Sequence, residues 1–235
     1  MMLKGILMAG LLIVTPMVAR ASASASRSRA SASRMAGLLI VTPMVAQAQS
    51  LKKAVFAGGC FWCVEADYEK LEGVKEAVSG FTGGTTRRPT YKSFGDHLEA
   101  VQVTYDADKV SYATLVDVLL RSVDVLDAGG QFCDRGNSYT TAIFANGSEA
   151  QIARDVIAKY NASGVLPRPI VTPVLPAGKF FKASAYHQGY YKSSKIVVTR
   201  RGPMSKARAY AFYRKGCGRD ARLKQLWGSQ AYLAQ

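Results

Sequence analysis

Alternating apolar and polar positions divide the chain beyond residue 50 into a regular series of predicted elements. Val101, Val103 and Tyr105 repeat every second residue, as a half-buried strand requires. Similar runs predict strands over 53–57, 76–81, 99–105, 140–145 and 170–175. A period near 3.6 predicts helices over 60–71, 111–123 and 148–161. Val64, Tyr68 and Leu71 share a face of the first helix. Leu115, Val116, Leu119 and Leu120 share one in the second, which Ser111 can cap, and Ile152, Val156 and Tyr160 mark the third, entered at Ser148 and ended by Gly164. Strands and helices interleaved as β-α-β-β-α-β argue for an α/β (α+β) two-layer sandwich with helices against a mixed sheet. A short helix over 183–191 and a loosely structured basic tail are expected beyond it.

The first fifty residues follow another rule. The string Met8-Ala9-Gly10-Leu11-Leu12-Ile13-Val14-Thr15-Pro16-Met17-Val18-Ala19 recurs from Met35 to Ala46, with an Ala/Ser/Arg-rich stretch between the copies. Each copy is too short to span a bilayer comfortably. Lys4 supplies a positive start, and Ala46-Gln47-Ala48 fits an Ala-x-Ala cleavage site. Residues 1–48 therefore read as a duplicated secretory signal, 49–199 as a catalytic domain and 200–235 as a basic tail packed on it or extending from it. A periplasmic or secreted protein is expected, with a retained membrane anchor as the alternative.

The 235-residue chain carries a net charge of +15, and removal of residues 1–48 leaves about +10. Much of the excess falls between Lys179 and Lys224. It holds no recognised nucleic-acid motif, so it reads as a solvated surface that meets acidic proteins or anionic polymers.

Candidate chemistry begins at Gly58-Gly59-Cys60-Phe61-Trp62-Cys63-Val64-Glu65, between the first strand and the first helix. Two glycines permit a tight turn. The unpaired amides of a helix start favour a thiolate at Cys60, so a depressed pKa is expected there. Cys63 lies one turn later, within reach of a disulfide with Cys60. Zinc would want a second close pair, whereas Cys133 and Cys217 stand alone, and Val64 replaces the histidine of a c-type haem site. Phe61 and Trp62 beside a nucleophile suggest the wall of a pocket for a small apolar group.

The Gly-Cys-Phe-Trp-Cys-Val-Glu run resembles the signature of the peptide-methionine (S)-S-oxide reductases, the A-type methionine sulfoxide reductases. Further matches follow in order: Leu71-Glu72-Gly73-Val74, Ser79-Gly80-Phe81-Thr82-Gly83-Gly84, Pro89-Thr90-Tyr91, Asp96 to Val101, Asp134 to Tyr139, and Tyr186-His187-Gln188. The resemblance covers about Lys52 to Thr199. It implies a ferredoxin-like core with long irregular segments, and reduction of methionine S-sulfoxide without a bound cofactor. Cys60 would attack sulfur, while Glu99 protonates the sulfoxide oxygen and the hydroxyls of Tyr91 and Tyr139 hold it. Phe61 and Trp62 would pack on the methyl group, Asp134 would contact the substrate main chain, and His187 would touch substrate or make a structural hydrogen bond. Either Cys63 or Cys217, the latter placed on a flexible tail, would resolve the sulfenic acid, and an external thioredoxin-like dithiol would reset the enzyme, expected to be a monomer. Cys133 departs from the family pattern and reads as a tolerated buried thiol or a third redox thiol, the former favoured. Ser184 replaces a frequent glutamate. The competing readings are an exported thiol-disulfide oxidoreductase using Cys60 and Cys63, and a basic envelope-binding protein with structural cysteines.

Overall fold

In the computed structural model, which describes residues 50–233, β1 (Leu51–Gly58), β2 (Val74–Thr82) and β3 (Leu98–Asp106) form the centre of a sheet. The signal-like segment at 1–48 lies outside the described residues. Strand β3 pairs antiparallel with both β1 and β2, and β1 pairs antiparallel with β6 (Thr141–Phe144). Between β3 and β6 run α2 (Tyr112–Ser122) and a small hairpin of β4 (Gly130–Gln131) and β5 (Asp134–Arg135). Two short edge strands, β7 (Val174–Leu175) and β8 (Phe181–Lys182), complete the order β7-β6-β1-β3-β2-β8. Among the described residues only β6 and β7 pair in parallel, so the sheet is mixed. The β1-α1-β2-β3-α2-β6 unit, with α1 at Phe61–Glu69, has the ferredoxin-like strand order.

The two-residue period explains the layers. Phe56, Val101, Val103 and Ile143 turn to one face and join Val64, Tyr68, Leu115 and Leu119 in the main core. Ala57, Leu98, Ala100, Ala142 and Phe144 turn to the other, under Phe180. The Tyr68 ring stacks on Phe56 at 5.1 Å, and its hydroxyl donates to the Leu115 carbonyl at 2.8 Å, tying α1 to α2. Ser111 caps α2 as expected, its Oγ accepting from Thr114 N–H at 3.0 Å.

Three expectations need correction. The third helix, α3, spans Gly147–Ala162 with Asn146 in the capping position, so Ser148 falls inside its first turn. The strand expected over 170–175 is reduced to Val174–Leu175. Pro169 and Pro173 lack the N–H that a ladder needs, and the intervening segment docks through Val171 N–H to the Val125 carbonyl at 2.8 Å. In place of a helix over 183–191 there are turns and one 3-10 turn at Tyr190–Lys192, entered through Gly189 at φ 58°.

The largest departure is the tail. It forms a hairpin of β9 (Ile196–Thr199) and β10 (Gly202–Ser205), followed by α4 (Lys206–Gly216) and α5 (Arg219–Trp227). Leu223, Leu226 and Trp227 enter the main core. The buried residues of α4 are Lys206, Tyr210 and Arg214, spaced four apart. Two of the three are cations, which is why hydropathy gives no sign of that helix face. Arg214 is ion-paired with fully buried Asp67 of α1 at 2.8 Å, and Lys206 donates to the Tyr186 carbonyl at 2.5 Å. Among the described residues no helix is long and apolar enough to cross a membrane.

Candidate active site

Gly58 and Gly59 let β1 turn into α1. Gly59 has φ +77°, and a Cβ there would stand 2.5 Å from Cβ of Gln131, so the position accepts only glycine. Cys60 occupies the N-cap, its carbonyl accepting from Cys63 N–H at 3.0 Å. The next amide, Phe61 N–H, donates to Glu99 Oε2 at 3.0 Å. Glu99 belongs to β3 and is 1% exposed, and its Oε1 has no hydrogen-bond partner among the described residues.

This arrangement reverses one expectation. The amide that would have favoured a thiolate at Cys60 is taken by Glu99. Burial raises the Cys60 pKa well above the ordinary thiol value. The hydrogen bond with Cys63 and the charges of Cys63, Glu99 and Asp134 push the same way. Cys63 moves in the opposite direction, to about 7. The hydrogen bond from Cys60 pulls it down against the effect of burial, and Arg219 and Arg214 assist. The two thiols share a hydrogen bond and titrate as a pair, with Cys60 shifted up and Cys63 shifted down. Glu99 is raised to about 8, chiefly by burial, with the Phe61 hydrogen bond opposing, and so keeps its proton at neutral pH.

The remaining expected residues gather here. Tyr91 sits in a tight turn closed by Thr90 and Ser93, its ring 6.0 Å from Phe61 and 4.3 Å from His187. Tyr139 ends a 3-10 turn and meets Phe94 edge-on. Burial and then the Glu99 charge raise both hydroxyls, Tyr139 to about 12, so they remain neutral donors. Trp62 stacks on Tyr190 at 3.8 Å and lies against His187 at 5.8 Å. Burial lowers His187 to about 4, and its Nδ1 has no partner among the described residues, so the ring serves as a neutral wall. Trp62, Phe81, Tyr91, Tyr186 and His187 line a cavity of about 670 Å³.

The C-terminal helices cover the cysteine side. Tyr210 packs with Cys60, Cys63 and Ala66, and Tyr213 donates a hydrogen bond to Asp134 Oδ2. Asp134 is raised by burial against that bond. Cys217 lies at the end of α4, bonded to Cys133 in a disulfide, rather than on a flexible tail. Cys133 is correspondingly an exposed disulfide partner and not a buried thiol. Arg219, two residues after Cys217, is buried and donates to the carbonyls of Gly58 and Ser122, each at 3.2 Å.

Several supporting residues carried no assigned role in the sequence reading. Glu65 accepts from Ser79 Oγ at 2.5 Å and Gly189 N–H at 2.6 Å, and Gln188 pairs with both the N–H and the carbonyl of Ser79. These bonds fix the His187 loop on β2. Glu65, Ser79 and Gln188 all lie within the quoted motifs, which marked them without saying what they do. Tyr213, Arg214 and Arg219 lie beyond the resembling span, and no pattern pointed to them. Among the described residues no group of three or more metal-ligating side chains gathers.

A helix-start cysteine with a second thiol one turn on, near a buried carboxyl of raised pKa and followed by Trp62 on the wall of an aromatic cavity, defines a thiol-dependent redox site. The fold and the sequence comparisons narrow that class to one family. A profile described as peptide methionine sulfoxide reductase matches residues 52–215, so the chain belongs to the peptide methionine sulfoxide reductase family. It is 48% identical over 181 residues to peptide methionine sulfoxide reductase MsrA 2 of Rhizobium meliloti, covering 76% of this chain and 85% of that protein. The corresponding protein of Caulobacter vibrioides is 44% identical over 182 residues, covering 74% and 85%. Methionine sulfoxide reductase A of Corynebacterium diphtheriae superposes with a TM-score of 0.55 at 31% identity, over 62% of this chain and 75% of that one.

Proposed function

We propose that the protein reduces methionine S-sulfoxide, free or in polypeptides, to methionine. The observation that carries this reading is Glu99, a buried carboxyl beside Cys60 that is held by one oxygen to Phe61 N–H and keeps its proton to about pH 8. The sulfoxide oxygen would lie against Glu99 Oε1 and the hydroxyls of Tyr91 and Tyr139, with the methyl group against Trp62; Phe61, expected beside it, is fully buried in the main core and is not among the residues that line the cavity. The Cys60 proton moves to Cys63 along their hydrogen bond, and the Cys60 thiolate attacks sulfur while Glu99 donates its proton to the oxygen. The S–O bond then breaks with oxygen passing to Cys60, which leaves methionine and a Cys60 sulfenic acid. Cys63 attacks that sulfur, releasing water and forming the Cys60–Cys63 disulfide. An external thioredoxin-like dithiol supplies two electrons and two protons to restore the thiols. Cys63 is the favoured resolving thiol because it already meets Cys60, whereas Cys217 becomes available only when its bond to Cys133 is reduced.

The leader-like segment at 1–48 supports a cell-envelope role in the repair of oxidised proteins, which sequencing of the mature N-terminus would test. Incubation with the separate S and R epimers of N-acetylmethionine sulfoxide and dithiothreitol tests the activity. Consumption of S alone is expected, and equal consumption of both, or of neither, would refute it.

A further inference from the structure

The face that carries the aromatic cavity also carries cations that the reaction does not use. The loop between β2 and β3 lines two neighbouring cavities. Pro89 to Lys92 and Lys182 belong to the cavity of about 670 Å³, beside Trp62 and His187. Gly83 to Arg88 belong to a second, of about 590 Å³, closed by Pro176, Gly178, Lys179 and Phe181. Strand β8 lies between them, giving Phe181 to one and Lys182 to the other.

Five exposed cations follow this double cleft: Lys92 and Lys182 on the aromatic side, then Arg87, Arg88 and Lys179. None of the five has an ion-pair partner among the described residues. Elsewhere Arg135, Arg222 and Arg121 are paired with Asp127, Asp124 and Asp117. The carboxylate behind the loop, Asp96, is taken up by the N–H and hydroxyl groups of Thr85 and Thr86 at 2.8 to 3.2 Å. It turns inward on its own loop and leaves the five charges uncompensated.

We propose that this cleft selects methionine sulfoxides that lie in acidic stretches of polypeptide. The sulfoxide side chain enters the aromatic cavity while the flanking chain follows loop 83–92, with Asp and Glu carboxylates facing Lys92 and Lys182 and then Arg87, Arg88 and Lys179. The inference rests on the reading of the active site given above. It extends that reading by naming a substrate class. Exposed charges act at this range by steering and by modest pairing, both weakened by salt.

The test uses the full chain and two peptides of equal length carrying methionine S-sulfoxide between glutamates or between lysines, with N-acetylmethionine S-sulfoxide as a substrate too small to reach Arg87, Arg88 or Lys179. The expected kcat/KM preference for the acidic peptide is about tenfold at low salt, shrinking towards unity at high salt. Arg87→Glu/Arg88→Glu/Lys179→Glu should abolish that preference and leave turnover of the small substrate unchanged, and the milder triple glutamine variant should reduce it. Equal rates on the two peptides, or a preference that survives both variants, would overturn the proposal. Fluorescence anisotropy of the labelled peptides on Cys60→Ser protein reads the cleft without catalysis. Failure to turn over the small substrate would therefore strike the active-site reading alone. Displacement of the acidic peptide by an oligonucleotide at equal charge concentration would also overturn the proposal, since it would mark a general polyanion surface.

Discussion

Glu99 and Phe61 are joined across the sheet and the first helix: the Phe61 N–H donates to Glu99 Oε2 at 3.0 Å, so the first amide of α1 holds the carboxyl and not the neighbouring sulfur. This bond sets which group near Cys60 keeps its proton. The carboxyl is buried and stays neutral to about pH 8, while the thiol pair loses one proton near 7 on the Cys63 side.

A bell-shaped pH profile follows for kcat/KM, rising as the thiol pair ionises near pH 7 and falling as Glu99 ionises near 8. Glu99→Gln should lower the rate by about 10²- to 10⁴-fold and remove the falling limb. Steady-state rates across pH 5 to 10, on the order of two points per unit, would show both effects. Stability should change as well. The folded Glu99 pKa is raised from the ordinary 4.5, so its contribution is present in full below 4.5 and is lost as pH rises to about 8. Glu99→Gln should therefore gain on the wild type in denaturant midpoint between those limits.

Thiolate absorbance of the reduced protein should show one thiol titrating near pH 7. Cys63→Ser should abolish that transition and leave Cys60 titrating above the ordinary thiol value, since burial and Glu99 remain. A low transition that survives in Cys63→Ser would place the anion on Cys60 and contradict the geometry.

The Cys133–Cys217 disulfide closes a loop with a sequence separation of 84 and ties α4 to the hairpin that carries Asp134. Cys133→Ser/Cys217→Ser should lose about 2–4 kcal/mol of stability in urea titrations under non-reducing conditions. Under strong reductant the double variant and the wild type should converge.

Arg214→Ala should be more damaging than its position in a basic tail suggests. Asp67 is fully buried and would be left without its partner, at a cost of about 3–5 kcal/mol. Arg214→Met with Asp67→Asn should recover most of that loss, which equilibrium unfolding of the wild type and the two variants would measure.

The central sheet was legible because Val101, Val103 and Tyr105 alternate in β3 with the less buried Gln102 and Thr104, and α2 because Leu115, Val116, Leu119 and Leu120 make an unbroken apolar face. The cysteine turn was legible through its two glycines. The tail was not. The inward face of α4 consists of Lys206, Tyr210 and Arg214, and their burial depends on Asp67 in α1 and the Tyr186 carbonyl, partners far away in the chain. The thiol chemistry at Cys60 was read with the wrong sign for a related reason. A local rule about helix starts assumes vacant amides, and here a residue 38 positions away occupies the first of them.

The most direct test of the account is to add one equivalent of methionine S-sulfoxide to reduced Cys63→Ser protein in the presence of dimedone and to map the product by mass spectrometry. A dimedone adduct on Cys60, matched by one equivalent of methionine and absent with the R epimer, is the expected result. An adduct on another residue, or methionine release with Cys60 unmodified, would contradict it.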